Sequence, residues 1–311
     1  MSSKHLLAKE LYPLVDAFPA FEFSDERMPK IRTAFEQEMA LGDADAAGIE
    51  RSEIYAPNEQ GPDVRCLVYS PQQQGGARAG YLHLHGGGYI MGSPERSDPM
   101  NLSLAARLGI VIVAVNYRLA PEHPIPAPLD DSYSALAWFF ENAQALNVDP
   151  TRIAIGGESA GGGLAAALAI RARDAGEYSI CHQHLTYPML DDRTGTAEFP
   201  GDALTGEFVW TRAANQYGWR SYLGAAPAAA PQVPARAESL AGLPPTWMFT
   251  AGLDLFRDEN IEYAQRLMRD GVSTELVVYP GACHGFQGLP GTHLGARFAK
   301  AHREALRVAL T

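Results

Sequence analysis

Cysteine is scarce in this chain: Cys66, Cys181 and Cys283 are the only three in 311 residues, odd in number, far apart and without Cys-x-x-Cys spacing. Neither a disulfide framework nor a structural zinc site is expected from them. Long apolar runs are missing as well. The start, Met1-Ser2-Ser3-Lys4-His5-Leu6-Leu7-Ala8, meets Lys9 and Glu10 before a signal-peptide core can form, so the expectation is a cytoplasmic protein with no membrane insertion. Basic runs are also lacking. With 36 acidic against 25 basic residues and a net charge of −11, an anionic partner such as nucleic acid or a membrane surface is disfavoured. Asn101-Leu102-Ser103 has the form of a glycosylation acceptor, which without secretion is chance.

What the chain has is glycine in particular places. Gly157-Glu158-Ser159-Ala160-Gly161 follows the β-branched run Thr151-Arg152-Ile153-Ala154-Ile155 and precedes the helix-forming Leu164-Ala165-Ala166-Ala167-Leu168-Ala169-Ile170. A Gly-x-Ser-x-Gly between strand and helix is the form of a nucleophile elbow, whose serine needs an unfavourable φ and whose flanking glycines relieve crowding. His85-Gly86-Gly87-Gly88 follows another strand-like run, Gly80-Tyr81-Leu82-His83-Leu84. A glycine run there leaves backbone N–H groups able to face a developing oxyanion. The two motifs in this order point to hydrolysis.

A serine nucleophile needs a base, and the base an orienting carboxylate, in the chain order Ser, acid, His. Asp254 stands just beyond the apolar run Trp247-Met248-Phe249-Thr250-Ala251, and His284 just beyond Glu275-Leu276-Val277-Val278-Tyr279. In open α/β sheets ligands bind outside the carboxyl ends of the strands, where Ser159, Asp254 and His284 would converge. Asp258 and Glu259 are rival acids, better read as charges on the N-terminal end of a helix. His83 and His85 could only make a metal site with a carboxylate that their cluster lacks, so no metal and no cofactor is expected.

Eight strand candidates lie near Ile49–Tyr55, Val64–Tyr69, Ala79–Leu84, Ile110–Asn116, Ile153–Gly156, His184–Tyr187, Pro245–Thr250 and Thr274–Tyr279. Helical segments such as Pro128–Asn142 and Asn260–Asp270 separate them, which predicts a mostly parallel sheet with helices on both faces. Residues 3–18 and 27–42 have helical spacing and precede the sheet. Between 190 and 235 the alternation breaks; Phe208, Trp210, Tyr217, Trp219 and Tyr222 crowd together before an Ala/Pro loop. The division expected is N-terminal cap helices over 1–45, a core over 46–189, a cap insertion over 190–235 and the rest of the core over 236–311.

With Tyr117-Arg118-Leu119-Ala120-Pro121-Glu122-His123-Pro124, Asp254-Leu255-Phe256-Arg257-Asp258-Glu259 and His284-Gly285-Phe286 added in order, the chain resembles the hormone-sensitive-lipase-like (bacterial family IV) esterases of the α/β-hydrolase superfamily. It departs at Glu158, where many relatives have aspartate, and at Leu255, where many have proline. The resemblance implies an α/β-hydrolase fold: an eight-stranded, mostly parallel central sheet with helices on both faces and a helical cap. It implies hydrolysis of short- to medium-chain carboxylic esters through an acyl-enzyme, a small-molecule ester as partner, and no cofactor; a homodimer is compatible. Ser159 would be nucleophile, His284 base and Asp254 its orienter, with an oxyanion hole from the N–H groups of Gly87, Gly88 and Ala160. His85, Gly86, Gly157, Glu158 and Gly161 would shape the motifs, and Tyr89, Phe208, Trp210 and Phe286 would line the substrate pocket. Plant relatives with this fold include hormone receptors that have lost the catalytic histidine, whereas His284 is present here. Amide or lactone hydrolysis would use the same residues.

Overall fold

The computed structural model describes residues 2–18, 22–37, 41–45, 47–73 and 75–311. Its centre is one sheet of eight strands, β1 (Ile49–Ala56), β2 (Val64–Pro71), β3 (Arg78–Leu84), β4 (Val111–Val115), β5 (Val148–Glu158), β6 (His182–Thr186), β7 (Thr246–Ala251) and β8 (Thr274–Tyr279), in the spatial order β1-β2-β4-β3-β5-β6-β7-β8. Only β2 runs against its neighbours; every pairing from β4 to β8 is parallel. All eight strands occur where β-branched and aromatic runs predict them.

Among the described residues eight α-helices accompany the sheet: α1 (Tyr12–Ala17), α2 (Met28–Gln37), α3 (Asp98–Leu108), α4 (Ala127–Glu141), α5 (Ala160–Ala175), α6 (Arg212–Leu223), α7 (Arg257–Arg269) and α8 (His293–Ala309). Alternation along the strands divides the core between the two faces. On β3, Leu82 and Leu84 join the cluster packed by Leu136 and Phe139 of α4 and by Leu164 and Leu168 of α5. Tyr81 points the other way, into a cluster with Leu102 and Leu104 of α3 and Leu306 of α8. The inward face of α5 is mostly glycine and alanine, and these small residues let the helix lie close against the strands. No described helix is long and apolar enough to cross a membrane.

The helical spacing over 3–18 is realised as three short pieces. A 3-10 turn over Ser3–Leu6 gives way to extended backbone at Leu7, a second turn covers Lys9–Leu11, and α1 begins at Tyr12. The break has two causes. Ala8 N–H leaves the helical ladder to donate to Gly281 O at 2.9 Å, and Pro13 has no N–H, which a helix tolerates only in its first turn. Glu10 then accepts from the N–H groups of His293 and Leu294, closing the start of α8. The helix expected over 27–42 is α2; residues 38–40 lie outside the described residues. Arg32 of α2 donates to Ile90 O and Ala120 O, both at 2.7 Å, and to both carboxylate oxygens of Glu122 at 2.8 Å. The N-terminal helix is thereby fastened to the segment following the His85 glycine run.

The order of the strands decides where chemistry can occur. β4 lies on one side of β3 and β5 on the other, so the chain's direction of winding switches between β3 and β5. At such a switch point the loops leaving adjacent strands diverge and open a crevice. The β3–β5 register pairs Leu84 with Gly157, so the loop of His85–Gly88 and the turn carrying Ser159 leave the sheet side by side.

Candidate active site

Ser159 follows the last residue of β5 and precedes the first of α5, with φ 57° and ψ −122°. This backbone conformation is disfavoured for any L-residue and must be held by its surroundings. Ser159 N–H donates to Thr186 O on β6, and its own carbonyl accepts from Gly163 and Met189 N–H, each at 2.9 Å. A β-carbon on Gly157 would lie 2.2 Å from Leu84 O, and one on Gly161 2.0 Å from the same oxygen. Both glycines are therefore required by backbone contact.

His284 Nε2 is 3.0 Å from Ser159 Oγ, and His284 Nδ1 is 2.7 Å from Asp254 Oδ2. Asp254 is 1% exposed, and its other oxygen accepts from Phe256 N–H at 3.0 Å. The rings of Tyr187 and Phe256 stand 4.5 and 5.4 Å from the imidazole, which limits its rotation. In such a series Nδ1–H donates to the carboxylate, leaving Nε2 free to accept the serine proton. The rival acids are elsewhere. Asp258 is exposed and pairs with Arg257. Glu259 is not the exposed helix-end charge its position suggests: it is buried, accepts from Leu190 N–H at 2.7 Å, and burial pushes its carboxyl well above the usual range.

The glycine run beside the elbow is shaped by its neighbours. Gly87 (φ 132°) and Gly88 (φ 61°) occupy backbone regions that a side chain would strain, and Gly87 O accepts from both Ile90 and Met91 N–H. His85 does not face the serine. Its ring stacks on Tyr117 with centroids 4.2 Å apart, its Nδ1 lies 2.9 Å from Gly86 O, and its carbonyl accepts from Tyr117 Oη at 2.6 Å. Burial lowers the His85 pKa to about 4, so the ring is neutral and serves to fix the loop. Ala160 is the first residue of α5, where an N–H has no partner within the helix and the helix dipole is positive.

Beneath the elbow lies a polar cluster that motif reasoning passes over. His83 Nε2 is 3.1 Å from each carboxylate oxygen of Glu158, and its Nδ1 is 3.2 Å from the amide of buried Asn101. Asn101, the residue of the glycosylation-like triplet, is thus an internal strut. Burial works to raise the Glu158 carboxyl, but the charge and hydrogen bonding of His83 outweigh it and hold the group below its ordinary value. A polar residue two before the glycine motif, facing another one before the serine, is the signal that could have found this pair.

Three of the four expected pocket residues pack into core clusters. Tyr89 is fully buried, stacked on Tyr222 at 4.0 Å, with its hydroxyl donating to Met189 O. Phe286 is fully buried against Phe249 and Phe298. In each case the positive φ of the preceding or same residue, Gly285 at 69° and Tyr89 at 65°, turns the side chain inward. Phe208 is nearly buried and packs in the cluster of Leu7, Leu11 and Phe249. Trp210 alone of the four stands against the glycine run, its ring 6.4 Å from that of His284.

This geometry has counterparts. Residues 81–288 match the family model described as alpha/beta hydrolase fold. The chain belongs to that family. Within it, the chain is 37% identical to the esterase LipI of Mycobacterium tuberculosis over 68% of this chain and 66% of that protein. It is 33% identical to an ethyl acetate hydrolase of Pseudomonas putida over 82% of this chain and 81% of the other. Among solved alpha/beta hydrolase structures it is similar to a bacterial heroin esterase, with 36% identity, full coverage of both chains and a TM-score of 0.92.

Proposed function

We propose that this protein is a serine carboxylesterase acting on small carboxylic esters through an acyl-enzyme. The observation that carries the reading is the unbroken series from Asp254 through His284 to Ser159, at 2.7 and 3.0 Å, beside a glycine run in register with the elbow. Relatives named as esterases, one of them for ethyl acetate, support it. Ser159 Oγ attacks the ester carbonyl while its proton passes to His284 Nε2. The resulting oxyanion faces the N–H groups of Gly87, Gly88 and Ala160. The C–O bond to the alcohol then breaks, the proton on His284 goes to the leaving oxygen, and a water deprotonated by the same nitrogen releases the acid. Asp254 holds the tautomer and stabilises the imidazolium.

The cap belongs to the proposal: residues 1–45 and 190–235 cover a core formed by 46–189 and 236–311. The ring contacts of Phe23 with Trp210 and Tyr217, at 5.9 and 5.8 Å, support it by joining the two segments next to the serine. The cytoplasm is the proposed setting. A ligand-binding role without turnover has no observation in its favour, since His284 lies within hydrogen-bond reach of Ser159. Pre-steady-state mixing with p-nitrophenyl acetate tests the reading. A burst of one nitrophenol per chain, with an acetyl group mapped to Ser159 and absent from Ser159→Ala, is expected. Undiminished turnover by Ser159→Ala, or no turnover by the unaltered chain, would overturn it.

A further inference from the structure

Ser159 and His284 are only 5% and 7% exposed, and Trp210 is 5% exposed. The end of the Trp210 indole is so close to Gly88 that a β-carbon there would lie 2.2 Å from Cη2 and 2.7 Å from Cζ2. The same ring lies next to the catalytic imidazole, its centroid 6.4 Å from that of His284 and its plane tilted by 36°. Three groups hold it in place. Trp210 Nε1–H donates to Asn215 Oδ1 at 3.2 Å, the Asn215 amide donates to Thr194 O at 2.7 Å, and Phe23 packs on the ring from the N-terminal segment. The backbone is held too. Val209 has φ 62°, and Trp210 N–H closes a tight turn on Phe208 O at 2.7 Å. For a β-branched residue this conformation is costly, and it persists because the packing around it fixes the indole over the site.

We infer that Trp210 is the residue that limits the size of the alcohol half of the ester. The inference rests on the carboxylesterase reading and follows from the shape of the tetrahedral intermediate on Ser159. Three substituents remain besides Oγ: the oxyanion, directed to the Gly87–Gly88 run; the leaving oxygen, directed to His284 Nε2; and the acyl chain, which takes the remaining direction. A ring that touches Gly88 and lies next to His284 borders the first two directions. Its bulk meets the group attached to the leaving oxygen and not the acyl chain. Gly88 and Trp210 are matched for this purpose, since only a residue without a β-carbon leaves room for the indole.

The test separates the two halves of the substrate. In an alcohol series with acetate as the common acyl group, Trp210→Ala and Trp210→Leu should raise the kcat/KM ratio of 1-phenylethyl acetate to ethyl acetate by about tenfold or more, the scale on which pocket size discriminates. In an acyl series with p-nitrophenol as the common alcohol, the hexanoate to acetate ratio should move less than about threefold. Trp210→Phe, which keeps an aromatic of smaller reach, should fall between, and serves alone if the smaller variants do not fold. A flat alcohol ratio, or a shift in the acyl ratio of equal size, would overturn the assignment. Failure of the underlying reading is distinguishable, because the unaltered chain would then not hydrolyse p-nitrophenyl acetate at all.

Discussion

Gly161 and Leu84 meet backbone to backbone: the place of a β-carbon on Gly161 lies 2.0 Å from Leu84 O and 2.6 Å from its carbonyl carbon. Contacts of this kind cannot be relieved by turning a flexible side chain. They join the strand leading to the glycine run to the helix behind the nucleophile, so the two halves of the site share one rigid junction. Gly161→Ala should therefore destabilise the fold by more than about 3 kcal/mol, in the range of severe overpacking. By contrast Gly176→Ala, at an open helix end with φ 69°, should cost only the strain of its left-handed conformation, roughly 1 kcal/mol. Urea denaturation of both variants checks the ranking; equal losses would contradict it.

The triad variants should behave as a unit. Ser159→Ala and His284→Ala are expected to fold normally and to lose about a thousandfold or more in kcat, and Asp254→Asn somewhat less. The double variant should be little worse than either single one. Asp258→Asn is the control, because its carboxylate is on the surface with Arg257 and should leave turnover within about twofold of the starting value. Steady-state kinetics on one soluble ester decide this. A loss for Asp258→Asn exceeding that for Asp254→Asn would mean that the wrong carboxylate supports His284.

The order and the strand contexts of these residues were legible in the sequence because an apolar or β-branched run precedes each chemically marked position. Ser159, Asp254 and His284 all leave carboxyl ends of parallel strands, so strand assignment alone brings them to one edge. Side-chain direction was not legible. Tyr89 and Phe286 adjoin motif residues in the chain, but positive φ sends them into the core, and no periodicity reports a single turned residue. The break in the N-terminal segment is hidden for a similar reason: the hydrogen bond from Ala8 to Gly281 is a long-range contact. Helical spacing in 3–18 carries no information about it. The His83–Glu158 pair leaves a trace in its offsets from the two motifs, but the third member, Asn101, joins it only once α3 is packed against β3 and β5.

Four buried histidines should make the fold sensitive to acid. Burial lowers the pKa of His85, His182 and His302 to about 4, and holds that of His184 well below its ordinary value too. The sign follows from the unfolded chain, where these imidazoles titrate near 6.5. Above that pH both states are neutral at these sites and the stability is fully present. Below it the unfolded chain binds protons that the folded one refuses, so stability falls as pH drops from about 6.5 towards 4, by up to roughly 1.4 kcal/mol per pH unit for each group. The depressed Glu158 carboxyl adds a loss of the same sign, present above the ordinary carboxylate pKa and lost as pH falls through the folded value. Urea midpoints from pH 8 to 5 should fall steeply below 6.5, and His182→Asn should make the fall shallower by about one proton. A stability profile that is flat between pH 7 and 5 would show that these rings are hydrated or already protonated in the folded protein.

Acyl length is the last expectation, and the stretch 190–235 decides it. The buried face of α6 carries Ala214, Tyr217, Trp219 and Tyr222, all turned inward, while Ala213, Gln216 and Arg220 are on the exposed side. A lid that opens on an oil surface needs a broad apolar face to rest there, and the outward side of α6 does not offer one. With Ser159 only 5% exposed, an acyl chain would gain burial, up to about 0.8 kcal/mol per methylene, only as far as a pocket under the proposed cap has room for it. Catalytic efficiency on p-nitrophenyl esters should accordingly peak at roughly four to eight acyl carbons and decline beyond about ten. No jump in rate should accompany the passage from dissolved to emulsified substrate. A series of chain lengths measured below and above the solubility limit distinguishes the possibilities: a maximum on long-chain triglyceride emulsions with activation at the interface would mean that the α6 segment swings out to present its inward aromatic face to lipid, and that the closed cover is one of two working states.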